Sequence, residues 1–429
     1  MYFKNNHTKD IHRINFYRWV VWGILVAIYL IVFFHRLSVG VIAGELNKSF
    51  GMNATQLANL GAMYFYAYTV MQIPTGILVD YLGPKKTVVI GSLLAGISSI
   101  LFSLSDNITM AYLCRLLVGL GVSVVFLCIL KIQSNWFPAE KFASITGFTS
   151  FIGSMGGLLA QTPLLTLVTL IGWRNSFLVM GIITLGLAVL AAIFVKNSPV
   201  DMGMLEVNPQ TTQTKEEKHS ALSQLVEVAK NPRVWIPAFV FGGVIGGFLV
   251  FTGTFGVSYV TSVYGISKSY AANLVSAVLL AAGIASLLIG GISDKLKRRK
   301  LPMIVLASIT VIAWSIIVFL KPSITLMSIL LILIGITSSV GVLCWTVGKE
   351  VSNPKLSGMS MSIVNVFGFL FTAILMLLCG KIIDMNTVNG LSPAEVYPKA
   401  FIVVVASSIV AFVFSLFIVE TRCKNIYNK

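Results

Sequence analysis

The sequence predicts an all-α integral membrane protein, with twelve spanning helices arranged as two six-helix halves. Three observations carry that expectation. Hydrophobic residues make up 56% of the 429 and charged residues only 11%, against about 25% charged in a typical globular chain. Mean hydropathy is +0.89, more apolar surface than a soluble core of this length could hide. The apolar residues also fall in runs of the ~20 residues a helix needs to cross a bilayer, and a polar loop pattern recurs at half the chain length. This composition excludes a cytosolic enzyme, a secreted disulfide scaffold and a disordered chain. The net charge of +16 is spread between apolar runs, not gathered on one face as in a nucleic-acid binder, so no nucleic-acid partner is expected.

In chain order, the predicted spans are 18–45, 55–79, 87–105, 109–136, 141–171, 174–196, 233–264, 270–293, 301–320, 324–348, 357–384 and 397–419. They are too long and continuous for barrel strands. The first run comes after a polar stretch, exceeds a signal-peptide core and lacks a small-residue cleavage site, so it reads as a spanning helix. The resulting organisation is an N-terminal segment 1–17, a six-helix bundle 18–196, a central loop 197–232 containing TTQTKEEKHS, a second bundle 233–419 and a tail 420–429. With the N-terminus inside, the inner segments carry 22 Lys and Arg and the outer segments 6. The positive-inside rule therefore places both termini and the central loop in the cytoplasm. The expected location is the inner (plasma) membrane.

Cys114, Cys128, Cys344 and Cys379 lie in apolar runs and Cys423 in the tail. None forms a CxxC, and His7, His12, His35 and His219 make no ligand cluster with them. Neither a metal nor a cofactor is expected. With no HExxH, GxSxG or paired-carboxylate set, neither is an enzyme.

The second span ends in Gly76-Ile-Leu-Val-Asp80 and continues through Gly83, Lys85 and Lys86. The eighth ends in Gly290-Gly-Ile-Ser-Asp294, and both Gly and Asp recur after 214 residues. GILVDYLGPKK resembles the loop 2–3 signature of the major facilitator superfamily, and Arg115-Leu-Leu-Val-Gly119-Leu-Gly121 resembles its fourth-helix RxxxGxG motif. The resemblance implies two pseudo-symmetric bundles that rock around a central cavity, with Asp80 and Asp294 in a gating motif. A carboxylate at a helix end can latch one state through a cation or a helix N-terminus; the plainer alternative is a solvated helix end. Lys297 departs from the motif where the second half would repeat Gly83.

Tyr29-Leu-Ile-Val-Phe-Phe-His35-Arg36-Leu-Ser-Val-Gly40 and Lys131-Ile-Gln-Ser-Asn-Trp136-Phe-Pro138 resemble the anion:cation symporter branch, which carries organic acids. That resemblance implies substrate contact by Arg36 and Lys131. His35 stands where the branch often has an acid, and Lys131 where it usually has Arg.

The residues argue the same direction on their own. A cation deep in a bilayer costs about 2.5–3.5 kcal/mol on insertion scales and seeks a partner or a water-filled path. Arg36, Arg115 and Lys131 lie within spans, while Glu45, Asp80, Asp106, Asp294, Glu350 and Asp384 fall at span ends. An anionic ligand is the simplest missing partner, because the guanidinium fork matches a carboxylate; snorkelling or capping of carbonyls is the alternative. Arg115 lies 16 residues, about 24 Å of rise, from Lys131 on one helix, so one small ligand cannot touch both. Arg115 is therefore assigned a structural or proton-path role. Tyr64, Tyr68 and Gln72 share a helix face; with Gln161, Asn273 and Asn365 they are candidate cavity polars, packing being the alternative. His35 titrates in a range suited to proton coupling, or is simply a neutral hydrogen-bonding residue. The glycine face Gly147, Gly153, Gly156 and Gly157 reads as a close helix contact.

The expected function is secondary active transport of a small organic anion, a carboxylate or sugar acid, with Arg36 as anchor, protons as coupling ion and a monomeric chain. Rival readings are a carrier of neutral solutes or small peptides, a drug/proton exporter, and a transporter-like sensor.

Overall fold

The computed structural model describes residues 2–204 and 221–427, with the side chains of 2–12, 73, 80, 139–140, 142–144, 221–224 and 355 outside the description. Among the described residues it is helical, with no strand. Helix α1 (Tyr2–Leu37) begins in the polar N-terminal stretch and ends one residue after Arg36; its apolar span is Arg13–Leu37. A turn over 38–42 leads to α2 (Ala43–Phe50). The predicted span 18–45 is thus corrected to a broken one. Gly40 explains the break. Its N–H leaves the helix ladder and donates to Gly253 O at 3.0 Å, and a Cβ there would lie 3.0–3.1 Å from the backbone of Thr254 and Gly253.

The next spans obey ordinary start and stop chemistry. Asn53 and Gln56 form a capping box at the head of α3 (Ala54–Leu82). Gly83, at φ +80°, turns the chain into α4 (Pro84–Ser103), where proline suits the first helical position. The fourth span is α5 (Ile108–Ser123) and α6 (Val125–Trp136), broken at Val124. The fifth is α7 (Ala139–Leu159) and the head of α8 (Thr162–Phe194); Gly172, at φ +79°, kinks α8 and separates the fifth span from the sixth.

Residues 205–220 of the predicted central loop, including TTQTKEEKHS, lie outside the described residues. Beyond them comes a short helix, α9 (Ala221–Ala229), packed between the second half and the first-half helix α3. The seventh span is α10 (Pro232–Val250), a five-residue π-helical segment at Phe251–Phe255, and α11 (Gly256–Tyr264). Then come α12 (Lys268–Leu296), α13 (Lys300–Ser315) with a π-helical end, α14 (Ile324–Thr337) and α15 (Val340–Glu350), α16 (Ser357–Val388) and α17 (Pro393–Leu416).

Ten stretches of the described residues are long and apolar enough to cross a membrane. One of them, Ile145–Phe194, holds two spans around Gly172, and α3, 29 residues long, supplies the second span. Twelve spanning helices result, in two six-helix bundles. The 214-residue repeat extends to their irregularities. It carries Ser38, where α1 breaks, to Thr252 in the π segment, and Val124 to Ser338, where α14 gives way to α15. The halves meet along two seams, α3 on α16 and α7 on α12.

Three of the four glycines singled out in α7 make close contacts. A Cβ on Gly156 would run into the carbonyl oxygen of Leu30 and one on Gly153 into the Tyr29 ring, whereas Gly147 faces open space. Gly156→Ala is therefore expected to force α1 and α7 apart and cost about 1–3 kcal/mol. The check is thermal unfolding in detergent, with Gly147→Ala as the control that leaves the midpoint unchanged.

Candidate functional site

Where α1 ends, its last carbonyls lose their helical partners, and the end attracts positive charge. His35 and Arg36 occupy that last turn. Arg36 is 9% exposed and its guanidinium lies in an aromatic cage. The Cζ atom is 4.6 Å from the Phe33 ring centre, 5.1 Å from Tyr68, 5.2 Å from Phe369 and 5.9 Å from Tyr64. Cation–π contact stabilises the guanidinium without neutralising it. Its Nε has no hydrogen-bond partner.

Arg115, from α5, reaches the same tyrosine, with Cζ 5.6 Å from the Tyr64 ring centre. Its Nη2 donates to His35 O at 2.9 Å, which caps the broken helix. Nε and Nη1 are buried without partners. The structure thus brings Arg115 beside Arg36, a proximity the sequence did not show. Among the described residues no carboxylate pairs with either arginine. The His35 ring is enclosed, with both nitrogens unpartnered.

The tyrosine stripe meets the cage as the helical spacing required. Tyr64 and Tyr68 stack at 5.9 Å, and the Tyr64 hydroxyl donates to Val32 O at 3.4 Å. One turn further on, Gln72 Oε1 accepts from Asn365 Nδ2 at 3.3 Å, across the α3/α16 seam. Gln161 is not a cavity residue within a helix. It sits in the break between α7 and α8 and donates to Thr252 O at 3.3 Å, leaving its own Oε1 buried and unpartnered. Asn273 likewise belongs to the α7–α8/α12 seam, accepting from Thr162 at 2.6 Å.

Lys131 does not join this group. It is exposed on α6, 16 residues along from Arg115, about 24 Å of helical rise. Arg36 and Lys131 therefore do not share one small ligand in this arrangement. The cage members missed from the sequence are Phe33 and Phe369. Phe33 was visible in principle, because it lies three residues before Arg36 on the same helix face. Phe369 comes from the other half of the chain, and nothing local marks it.

In the loop after the second span the Asp80 side chain lies outside the described residues. Lys85 N donates to Asn197 Oδ1 at 2.8 Å, and Gly83 supplies the turn between α3 and α4. In the second half Asp294 pairs with Arg299 at 2.7 Å, and Arg299 also holds Glu350 at 3.0 Å. Burial works against the Arg299 charge, but Glu350 and Asp294 outweigh it and hold the guanidinium above its usual range. All three residues belong to one half.

Comparison with known proteins agrees with this geometry. The family model described as Major Facilitator Superfamily matches residues 25–376 and 253–425, and the chain belongs to that family. A probable sulfoacetate transporter, SauU, from Cupriavidus necator strain H16 is 27% identical over 291 residues, 66% of this chain and 66% of that one, just under two thirds of its length. The probable galactarate/D-glucarate transporter GudP of Bacillus subtilis is 22% identical over 402 residues, 87% of each chain. The fold matches the crystal structure of a bacterial homologue of the human lysosomal transporter Spinster, inward-facing and unoccupied, with a TM-score of 0.78, 18% identity and coverage of 95% of this chain and 97% of that one. Similar proteins are thus transporters, several of them of organic acids.

The Arg115 cap generates a structural prediction. A hydrogen bond from a charged donor contributes about 1.5–3 kcal/mol. Arg115→Met should therefore speed amide hydrogen exchange over residues 36–42 by about tenfold or more, read by mass spectrometry of the purified protein. Unchanged exchange would show that the break holds without Arg115.

Proposed function

We propose that the protein is a secondary active transporter of a small organic anion, a carboxylate or sugar acid, working by alternating access with Arg36 as anchor. The observation that supports this is the pair of buried arginines around Tyr64 with no carboxylate among the described residues to neutralise them. An anion entering there meets unpartnered guanidinium nitrogens in a low-dielectric setting, where charge-assisted hydrogen bonds are strong. The cage of Phe33, Tyr64, Tyr68 and Phe369 offers apolar faces that suit the carbon skeleton of a sugar acid or short acid. The names of the similar proteins, for sulfoacetate and galactarate/D-glucarate, point to the same chemistry.

The rest of the assignment rests on charge and topology. The segments 1–17, 197–232 and 420–429 are cytoplasmic, the bundles are 18–196 and 233–419, and the membrane is the inner (plasma) membrane, in keeping with the 22 to 6 cation asymmetry. The site lies between the two halves of one chain, so a monomer suffices. Protons are the coupling ion, with His35 and Arg115 the groups nearest the anchor able to respond to charge there. Asp80 and Asp294 belong to the cytoplasmic gate.

Two readouts test the anchor. The purified protein should be stabilised against heat by one class among mono- and dicarboxylates, sugar acids, dipeptides, neutral sugars and cationic dyes. Arg36→Ala should abolish both that stabilisation and uptake into liposomes without impairing insertion; normal uptake by this variant would sink the anion-site reading. Lys131→Ala, remote from the cage, should change the half-saturating substrate concentration by less than about tenfold.

A further inference from the structure

Two acidic residues at the end of the molecule away from the termini reach from one half to the other. Asp384, near the end of α16, turns both oxygens onto the head of α3. Its Oδ1 accepts from Ala54 N at 2.7 Å and its Oδ2 from Thr55 N at 2.8 Å, and the Thr55 hydroxyl donates to Oδ2 as well. These are orphan donors of the first helical turn. Asn53 satisfies only Gln56 N from within its own half. The N-terminus of α3 is therefore completed by a carboxylate of the opposite half, where the helix dipole favours negative charge.

On the other seam, Lys268 opens α12 and its Nζ lies 2.9 Å from both oxygens of Glu45 on α2. The pair borders an outward-facing depression of about 420 Å³ that also includes Gly40, Lys48 and Ser258. Gly40, one of its lining residues, donates to Gly253 O of the seventh span. Close backbone contact reinforces the first seam, where a Cβ on Gly380 would lie 2.8–2.9 Å from Ala58, Ala54 and Thr55.

The opposite face is different. There Asp294 is held by Arg299 of its own half, and Asn197 holds the Lys85 backbone of its own half. Among the described residues, the carboxylate links between halves lie only at the outer face.

We propose that Asp384 on the α3 N-terminus, together with the Glu45–Lys268 pair, forms the outer latch of the transport cycle. It holds the outside shut while the Arg36 cage faces the cytoplasm, and both links break when the halves rock apart. The latch is the outer counterpart of the inner motif around Asp80 and Asp294, set at the opposite ends of α3 and α12. It stands independently of which solute is carried.

Thr252 lies buried beneath the seam, 3% exposed, with its carbonyl bonded to Gln161, so Thr252→Cys reports opening. Intact cells would be treated with a membrane-impermeant maleimide, and labelling taken above that of the chain without Thr252→Cys. Asp384→Asn, which keeps size but loses an acceptor oxygen, should raise labelling several-fold, as should Lys268→Gln. Glu45→Lys and Lys268→Glu should each raise it alone, and the double exchange should bring it back toward the parent rate. Parent-like labelling in both Asp384→Asn and Lys268→Gln would overturn the latch. If Asp384→Asn fails to reach the membrane, the charge exchange decides alone: unchanged labelling in its single variants, or no restoration in the double, overturns the proposal. Loss of anion binding elsewhere would leave this labelling pattern intact, so the two readings fail separately.

Discussion

Two positive charges buried inside a bilayer constrain everything else in this protein. Arg36 and Arg115 flank Tyr64 with several guanidinium nitrogens unpartnered. The chain keeps them there by combining partial compensations: aromatic faces for one, a helix-end carbonyl for the other. None of these neutralises the charge. Buried charges of this kind are costly while they stay unpaired.

The break in the first span is a consequence of that requirement. An unbroken helix would have no free carbonyl at His35 for Arg115 to cap. Ending α1 at Leu37 exposes that carbonyl, and Gly40 then brings the chain against the π-helical segment of the seventh span. π-Helical segments inside α-helices are frequently found at functional sites, and this one binds Gly40, a residue that lines the outer depression. The irregularities of the first and seventh spans therefore meet each other beside the cage. Pseudo-symmetry places them at matching positions, and packing makes them one structure.

The same geometry separates two sets of acids. Asp294 and Glu350 serve a cation of their own half, whereas Asp384 and Glu45 serve donors of the other. A partly exposed ion pair such as Glu45–Lys268 contributes little alone, about 0–1 kcal/mol. That modest strength suits a contact that must be made and broken. Asp384 adds directional bonds to backbone N–H groups, which close only when the helix N-terminus and the carboxylate are in register.

The spans, the repeat and the sidedness of charge were legible in the sequence because bilayer thickness, helix rise and cation placement act on local stretches of chain. Tyr64 and Tyr68 could be paired with each other, and Phe33 with Arg36, by helical spacing alone. The partners of Arg36 on other helices could not. Phe369 lies more than 300 residues away, and Arg115 reaches Tyr64 only because α5 packs on α3 there. Residue type shows which groups need partners, but the depth and crossing of packed helices decide which partners they meet. The outer acids look like solvated helix ends in one dimension. Only the docking of α16 on α3 and of α12 on α7 turns them into links between halves, because a carboxylate and its donor interact over a few ångströms that sequence distance does not encode.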